Sequence, residues 1–404
     1  MWLLDCNNYR LESIDPTERP RKGYWILSHT WCDEEVTFQE MHTPSLAKNK
    51  KGYRKIKGMC ELARPHGLGY VWIDTCCIDK TSSAELSESI NSMFRWHQES
   101  ARCIVYLEDL APGTGIATED ELRSCRWFTR GWTLQELLAP REVHFYDSEW
   151  KFRGDKTSLI EPLTRITKID KDALRARSSR DHLGRVPVAR KMSWAAGRQS
   201  TRLEDKAYCL LGIFDVHMPL SYGEGERAFI RLQQTIAQKV NDMSLFAWIA
   251  ESQGCSVQES GLFAVDPSEF AACGDFEPIM DPLLPIISWT LTNASLEMTT
   301  ALDSSLNPEH KVITRCSKSA VRTEPCPGDV PNAKPATHGL ALWLLKTPSG
   351  FVRCNPSQLC LVKRSAMEFN EPSPIRVATF LTRSGGPDDD HIPDGEGPAD
   401  SSEG

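Results

Sequence analysis

Short apolar runs alternate with amphipathic segments of helix length through the first 150 residues. The runs at 23–29, 70–74, 102–107 and 143–146 are too short for helices and are rich in residues typical of buried strands. The segments between them repeat apolar residues every three or four positions, which is typical of one helix face. Strands separated by helices pair in parallel, because the crossover helix returns the chain to the same edge of the sheet. We therefore predict an α/β domain over residues 1–150, with a doubly wound, mostly parallel sheet.

Beyond residue 150, the sequence pattern divides the chain into three further segments. Residues 151–245 carry mainly helical periodicity and are predicted to form a helical segment. Between 246 and 383, short apolar runs broken by Pro, Gly, Asn and Ser predict a β-rich module. Residues 384–404 contain seven acidic side chains, no Lys or Arg and almost no apolar side chains. This composition predicts an acidic disordered tail.

Composition and charge exclude several classes of protein. The net charge is −8, or −1 without the seven acids of the tail, and the polar residues after the predicted strands mix carboxylates with arginines, so we expect no nucleic-acid partner. No run of about 18 apolar residues suggests a membrane span, and the N-terminus has no signal-peptide pattern. The 14 cysteines are scattered and are not spaced like those of a small disulfide-bonded protein. We therefore expect a cytoplasmic protein.

Unusual polar and aromatic residues follow the predicted strands. In an open parallel sheet, ligands bind in the crevice at the carboxyl ends of the strands. We expect the following side chains to share that rim: Ser28, His29, Trp31, Asp74, Arg130, Trp132 and Glu136.

Three stretches of this sequence resemble a known family. Tyr24-Trp-Ile-Leu-Ser-His-Thr-Trp31, Tyr70-Val-Trp-Ile-Asp-Thr-Cys-Cys-Ile-Asp79 and Arg130-Gly-Trp-Thr-Leu-Gln-Glu136 are similar to the signature blocks of the fungal heterokaryon incompatibility (HET) domain. The resemblance covers roughly residues 22–138, and residues 192–226 resemble the helical segment that often follows this domain. Cys32 and Lys80 depart from the pattern, since the family usually has Gly and often has Gln at these positions.

HET domains are distantly similar to Toll/interleukin-1 receptor (TIR) domains, some of which cleave NAD. Trp132-Thr-Leu-Gln-Glu136 resembles the stretch that carries the catalytic glutamate of TIR enzymes, and Ser28 resembles the serine that closes their first strand. The resemblance implies a TIR/flavodoxin-like fold and a cell-death effector in non-self recognition, with Glu136 as the catalytic residue. It also implies that NAD is a substrate, that no cofactor is needed and that the remaining rim residues bind the substrate.

The chemistry of NAD cleavage suits these residue types. Breaking the bond between ribose and nicotinamide passes through an oxocarbenium-like transition state, which a nearby carboxylate such as Glu136 can stabilise or attack. Nicotinamide leaves from an already cationic form, so no general acid is required. Arg130, at the start of a helix, would suit the pyrophosphate. Trp31 or Trp132 could stack on a ring of the substrate.

Each of these residues also has a purely structural interpretation. Glu136 could be an ordinary exposed helix charge, Asp74 a cap, and His29 a partly buried side chain satisfied by the backbone. Arg130 could be a structural ion-pair partner, and Trp132 could belong to the core. The corresponding alternative function is a non-enzymatic signalling module that acts by self-association through the HET domain and by binding an unknown protein partner. A third alternative is an inactive domain that acts as a scaffold for the β-rich module.

Three weaker motifs complete the predictions. Adjacent Cys76 and Cys77 would point in opposite directions and no Cys-x-x-Cys pair exists, so we expect no metal site. Tyr222-Gly-Glu-Gly-Glu226 is predicted to form a turn before a helix, because it lacks the preceding strand of a phosphate-binding loop. Thr201-Arg-Leu-Glu204 has the form of a capping box that begins a helix.

Overall fold

A computed structural model describes most of the first 250 residues and separate strands beyond them. The described residues are 1–15, 23–176, 179–250, 259–278, 288–292, 295–300, 302–303, 309–313, 316–318, 338–347, 350–354, 360–363 and 373–378.

The N-terminal part forms a sheet of seven described strands in the order β2-β1-β4-β3-β5-β6-β7. The strands are β1 Trp2–Asp5, β2 Leu11–Ser13, β3 Trp25–His29, β4 Tyr70–Ile73, β5 Arg102–Tyr106, β6 Val143–Tyr146 and β7 Phe152–Asp155. The helices are α1 Phe38–Met41, α2 Pro44–Ala47, α3 Tyr53–Ala63, α4 Ser83–Glu99, α5 Glu119–Arg123 and α6 Thr133–Leu138, with 3₁₀ turns at Arg64–His66 and Arg126–Thr129.

The four central strands are parallel, as predicted. β3 pairs in parallel with both β4 and β5, and β5 pairs in parallel with β6, so these strands follow the order 2-1-3-4 of their appearance in the chain. After β3 the chain adds β4 on one side of it, and it then crosses back to add β5 and β6 on the other side. Since crossovers are right-handed, the helix after β3 and the helices after β4 and β5 lie on opposite faces. In open sheets with this arrangement, the ligand-binding crevice lies at the carboxyl ends of the two strands where the order reverses, which here are β3 and β5.

The antiparallel edges of this sheet were not predicted. β1 pairs antiparallel with β2 and β4 on one side, and β7 pairs antiparallel with β6 on the other. These strands have only three or four residues. A period-2 pattern is not readable over so short a run. The prediction of a mostly parallel α/β sheet therefore holds for the centre of the sheet.

The following segment is helical and packs against the α/β part. Its elements are α7 Ile160–Thr167, α8 Lys171–Arg175, α9 Ser179–Leu183, α10 Val188–Ser193, α11 Asp205–Tyr208 and α12 Arg227–Lys239, with 3₁₀ turns at Met243–Phe246 and Pro267–Cys273. The Asn91 side chain of α4 bonds the backbone of Met218 through both its oxygen and its nitrogen. The helical segment is thereby tied to the helix layer beside the site.

The capping box predicted at Thr201 is wrong, because the helix begins at Asp205. The Glu204 carboxylate instead accepts the backbone N–H groups of Gly223, at 2.7 Å, and Gly225, at 3.0 Å. Both glycines have positive φ, a conformation that other residues rarely adopt. The turn predicted before α12 is therefore present, and a buried glutamate holds it.

Strands dominate the described residues beyond position 258. They are β8 Glu259–Ser260, β9 Phe276–Pro278, β10 Ser288–Leu291, β11 Ser295–Thr300, β12 Leu302–Asp303, β13 Glu309–Ile313, β14 Cys316–Lys318, β15 His338–Thr347, β16 Gly350–Cys354, β17 Cys360–Lys363 and β18 Ser373–Ala378. Nine of them form one sheet, with most pairs antiparallel, and β9 pairs with β14. The acidic tail predicted at 384–404 lies outside the described residues. Within the described ranges, no helix has both the length and the apolar character to span a bilayer.

We predict that Gly212→Ala destabilises the contact between the helical segment and α4. A Cβ added to Gly212 would lie 2.0 Å from the Cβ of Phe94, so the two elements would have to separate. Overpacking of this kind costs about 1–3 kcal/mol of unfolding free energy, measurable by urea denaturation. Gly197→Ala is the control, because a Cβ there meets nothing within 4 Å and should change stability by less than about 0.5 kcal/mol. Equal effects of the two substitutions would contradict this packing.

Candidate functional site

The site is built around the last two residues of β3. Ser28 lies opposite Val105 and His29 opposite Tyr106 of β5, at the carboxyl end of both strands. Successive side chains of a strand point to opposite faces. Ser28 accordingly contacts Glu136 of α6, whereas His29 contacts Lys55 of α3. The two residues therefore start two separate hydrogen-bond networks on the two faces of the sheet.

The Ser28 network reaches the predicted catalytic glutamate. The indole Nε1 of Trp127, a fully buried residue of the 3₁₀ turn before α6, donates to Ser28 Oγ at 2.7 Å. Ser28 Oγ in turn forms a short hydrogen bond with Glu136 Oε2. Because Ser28 has one hydroxyl hydrogen, accepting from Trp127 leaves that hydrogen for the carboxyl. The chain of two bonds fixes the position of the Glu136 carboxyl over the end of β3.

The surroundings of Glu136 favour its protonated form at neutral pH. The net effect of these surroundings raises the pKa of Glu136 to about 8; burial is the main cause, and the negative charge of Asp74 adds to it. The hydrogen bond from Ser28 and the charges of Arg130 and Arg198 oppose this rise. A carboxyl with such a pKa changes its charge close to neutral pH, which is typical of acid–base and nucleophilic sites.

Asp74 has the opposite ionisation behaviour. It follows β4 directly, and its carboxylate accepts from His29 Nε2 at 3.1 Å and from Trp31 Nε1 at 2.8 Å. Burial alone would raise the pKa of Asp74, but His29, Lys80 and the Trp31 hydrogen bond lower it to about 2. Asp74 is therefore ionised at neutral pH. Two carboxyl groups of the same rim thus differ widely in pKa, an arrangement that gives them different chemical roles.

A buried lysine supports His29 from the face opposite Glu136. Lys55 Nζ lies 2.5 Å from Glu35 Oε1, 3.4 Å from Glu108 Oε2 and 3.4 Å from His29 Nδ1. A charged Lys55 can only donate, so Nδ1 of His29 accepts and Nε2–H is left to donate to Asp74. Buried charges need such partners. The network holds His29 in one tautomer and one orientation.

Trp31 and Trp132 differ in how much aromatic surface they offer. Trp31 is 44% exposed, but Lys80 Nζ lies 3.8 Å from its ring centroid and covers one face. Trp132 is partly buried and packs against the core. Burial raises the pKa of Asp205, and hydrogen bonds from Tyr222 and Trp132 oppose that rise. Trp132 thus faces the helical segment, and one face of Trp31 remains for a ligand.

The two arginines near Glu136 come from different parts of the chain. Arg130 precedes α6, is partly buried, and its guanidinium has no hydrogen-bond or ion-pair partner within the described part of the chain. Arg198 belongs to the loop after α10, and its Nη1 donates to the carbonyl of Arg130 at 2.8 Å. The same loop forms a parallel bridge between Gln199 and Arg130. The charges of both arginines favour the ionised form of the Glu136 carboxyl.

The structure brings most of the predicted rim residues together. Direct hydrogen bonds join Ser28 to Glu136, and Asp74 to both His29 and Trp31; Arg130 acts on Glu136 through its charge. The Trp132 side chain instead hydrogen-bonds Asp205 of the helical segment. Whether these residues bind or transform a substrate stays a prediction.

Three residues of the site were missed: Trp127, Lys55 and Arg198. Trp127 lies inside the conspicuous Arg126-to-Glu136 run, which could have singled it out. Lys55 and Arg198 have no sequence signal, because their partners are distant in the chain. The described residues contain no group of three or more His, Cys, Asp or Glu side chains placed to hold a metal ion.

Comparisons with known proteins agree with the sequence blocks. Residues 24–123 match the sequence model of the family described as "Heterokaryon incompatibility protein (HET)", and residues 227–263 match a domain of unknown function (DUF8212). The vegetative incompatibility protein HET-E-1 of Podospora anserina is 45% identical over 237 residues, which cover 56% of this chain and 17% of that relative. The chain thus spans about a sixth of the length of this relative. No solved structure shows a significant match.

These findings confirm the predicted HET resemblance for residues 24–123. Ser28, His29, Trp31 and Asp74 lie inside that match, whereas Arg130, Trp132 and Glu136 lie beyond its end. The further likeness to TIR domains stays a prediction.

We predict that Glu136 makes folding stability depend on pH. An unfolded glutamate ionises near 4.5, whereas the pKa of Glu136 in the folded protein is about 8. The folded state therefore binds the extra proton between these values, and the stabilisation present at acid pH is lost as pH rises toward 8. Over this window the unfolding free energy of the native protein, relative to Glu136→Gln, should fall by up to about 1.4 kcal/mol per pH unit.

Urea denaturation of both proteins at intervals from pH 5 to pH 9 measures this difference. The control is Glu142→Gln, which removes a half-exposed glutamate paired with Arg102. The difference in unfolding free energy between Glu142→Gln and the native protein should stay constant over the same pH range. A constant difference for Glu136→Gln as well would show that Glu136 titrates like an exposed side chain.

Proposed function

We propose that this protein acts in heterokaryon incompatibility, as a cytoplasmic effector of non-self recognition. The HET match over residues 24–123 and the similarity to a vegetative incompatibility protein support this role. The proposal includes self-association through the HET region and recruitment of a protein partner. It also includes cell death as the outcome, brought about by consumption of NAD.

The proposed reaction is cleavage of NAD to nicotinamide and ADP-ribose at Glu136. The observation that carries it is a partly buried carboxyl, hydrogen-bonded to Ser28, at the crevice where β3 and β5 end. In open parallel sheets this crevice is where ligands bind. Because the pKa of Glu136 is about 8, its ionised, reactive form is a minor fraction at pH 7 and grows as pH rises.

The chemical step needs only the ionised carboxylate and water. The bond between the ribose anomeric carbon and the pyridinium nitrogen breaks, and its electron pair neutralises the nicotinamide ring. The Glu136 carboxylate stabilises the positive charge that develops on the ribose, or bonds to it transiently. Water then adds to the anomeric carbon and releases a proton, which completes ADP-ribose.

Arg130 and Trp31 bind the substrate in this proposal, and Asp74 orients its neighbours. Arg130 has a guanidinium without a described protein partner, which suits the pyrophosphate of NAD. The uncovered face of Trp31 suits a flat ring. Asp74 holds both Trp31 and His29 by hydrogen bonds and remains ionised, so its role is to orient these side chains.

A non-enzymatic signalling module is the second candidate. One observation favours it: the Trp127–Ser28–Glu136 chain satisfies the carboxyl inside the protein, as a structural carboxyl would be. In that case the same residues stabilise the fold, and death or signalling follows from self-association and partner binding alone.

We predict that the purified full chain releases nicotinamide from NAD when assayed at high protein concentration, where self-association is favoured. Activity should rise as pH increases through about 8, because the ionised form of Glu136 is the reactive one. Glu136→Gln should reduce kcat by at least about 100-fold without loss of folding, since the neutral amide cannot stabilise the ribose cation.

Glu142→Gln is the matched control and should retain full activity, because this residue lies in an exposed ion pair away from the crevice. Chromatography of NAD and nicotinamide, with circular dichroism for folding, gives the readout. If the amount of NAD stays constant at every protein concentration tested, NAD-cleaving activity is excluded. Toxicity on expression that survives Glu136→Gln would then favour the signalling module.

A further inference from the structure

Arg198 is held firmly against the start of α6. Its Nε donates to the carbonyl of Trp194 at 3.1 Å, and its Nη1 donates to the carbonyl of Arg130 at 2.8 Å and to Thr133 Oγ1 at 2.9 Å. The third guanidinium nitrogen, Nη2, is buried and has no hydrogen-bond partner among the described residues. A buried guanidinium nitrogen without a partner is costly.

The loop that carries Arg198 is joined to the same stretch of backbone. Gly131 N–H donates to the carbonyl of Gln199 at 2.8 Å, and Gln199 N–H donates to the carbonyl of Thr129 at 2.6 Å. A Cβ on Gly131 would lie 2.6 Å from Ser200 Oγ and 3.1 Å from Cys209 Sγ, so the two segments pack closely here. The helical segment thereby delivers the Arg198 charge to a defined point of the α/β part.

That point is one helical turn from Glu136. Thr133, which accepts from Arg198, and Glu136 are three residues apart on α6, and side chains at this spacing share a helix face. The Arg198 charge favours the ionised form of the Glu136 carboxyl, and the Glu136 charge in turn favours the charged form of Arg198. Because Arg198 is tethered by three hydrogen bonds, its charge stays there whether or not a substrate is bound.

We infer that Arg198 is a positioning residue for the proposed reaction: its guanidinium, tethered to the Arg130 carbonyl and Thr133 Oγ1, holds a positive charge one helical turn from the Glu136 carboxyl. The role of Arg198 in catalysis rests on the proposed function. It makes the site composite, since the α/β part supplies the carboxyl and the helical segment supplies the charge that controls it. Arg130 also favours ionised Glu136, but in the proposed function its guanidinium is engaged by the substrate.

Other groups around Glu136 act differently. Ser28 from β3 donates a hydrogen bond, and the charge of Asp74, after β4, disfavours ionisation. Cys103 of β5 and Cys209, after α11, are buried thiols whose pKa values are raised by burial and, to a smaller extent, by Glu136. Both thiols are thus neutral near pH 7. Among the described residues that act on Glu136 from the helical segment, Arg198 supplies the positive charge.

The test compares neutral and charged replacements in the full chain. Arg198→Gln keeps a hydrogen-bond donor but removes the charge, whereas Arg198→Lys keeps the charge. The readout is a plot of kcat/KM for NAD cleavage against pH. Arg198→Gln should shift the rising limb of this curve, where activity increases with pH, to higher pH by about one unit. Activity at pH 7 should then fall about tenfold. Arg198→Lys should leave the limb where the native protein has it.

Two further variants keep the result interpretable. Arg202→Gln removes a charge from the same segment but has no described contact with Glu136, so its pH profile should match the native one. Arg198→Met is a second neutral variant that retains the side-chain stem, for use if Arg198→Gln does not fold by circular dichroism. A loss of activity at every pH in both Arg198→Gln and Arg198→Lys, with the limb unmoved, would show a purely structural role and overturn the inference.

A second readout does not require NAD. Carboxyl ¹³C NMR of the full chain, with the Glu136 resonance identified by its absence in Glu136→Gln, gives the titration midpoint of this residue directly. Arg198→Gln should raise that midpoint by about one pH unit, and Arg202→Gln should not. An unmoved midpoint would overturn the assignment to Arg198 even where NAD is cleaved. A raised midpoint without any NAD cleavage would support the electrostatic role of Arg198 and overturn the proposed function.

Discussion

The central strand β3 is paired on both sides and buried on both faces, and the site depends on this position. Its five residues are all buried, and they are in parallel register with β4 and β5. Alternation of side chains at its end sends Ser28 toward α6 and His29 toward α3. A slip of one residue in this register would exchange the two faces and separate both networks from their partners.

The two networks create opposite electrostatic environments within one crevice. On one face, burial raises the pKa of Glu136 to about 8. On the other, His29 and Lys80 keep the pKa of Asp74 at about 2 despite burial. The buried Lys55 supports this second network by fixing the His29 tautomer. The two carboxyls therefore ionise at widely different pH: Asp74 is an anion that accepts hydrogen bonds from His29 and Trp31, whereas Glu136 changes charge near pH 8.

The site extends beyond the region that matches the HET family model. Ser28 and Asp74 lie within residues 24–123, but Glu136 follows that region and Arg198 belongs to the helical segment. Backbone hydrogen bonds of Gln199 with Gly131 and Thr129 join these parts. A fragment that ended after the family match would therefore lack the carboxyl and the charges that act on it.

The repeat of short apolar runs and amphipathic segments by itself determined the parallel centre of the sheet and the rim. Parallel strands end at one edge, so Ser28, Asp74 and Glu136 could be expected near one another from their positions after strands. The antiparallel edge strands gave no readable pattern over three or four residues. The tertiary structure alone decided the partners of Trp127 and Arg198, since these contacts join residues up to 99 positions apart. It also decided the pKa of Glu136, because burial is a property of the packed molecule and not of a helical glutamate in sequence.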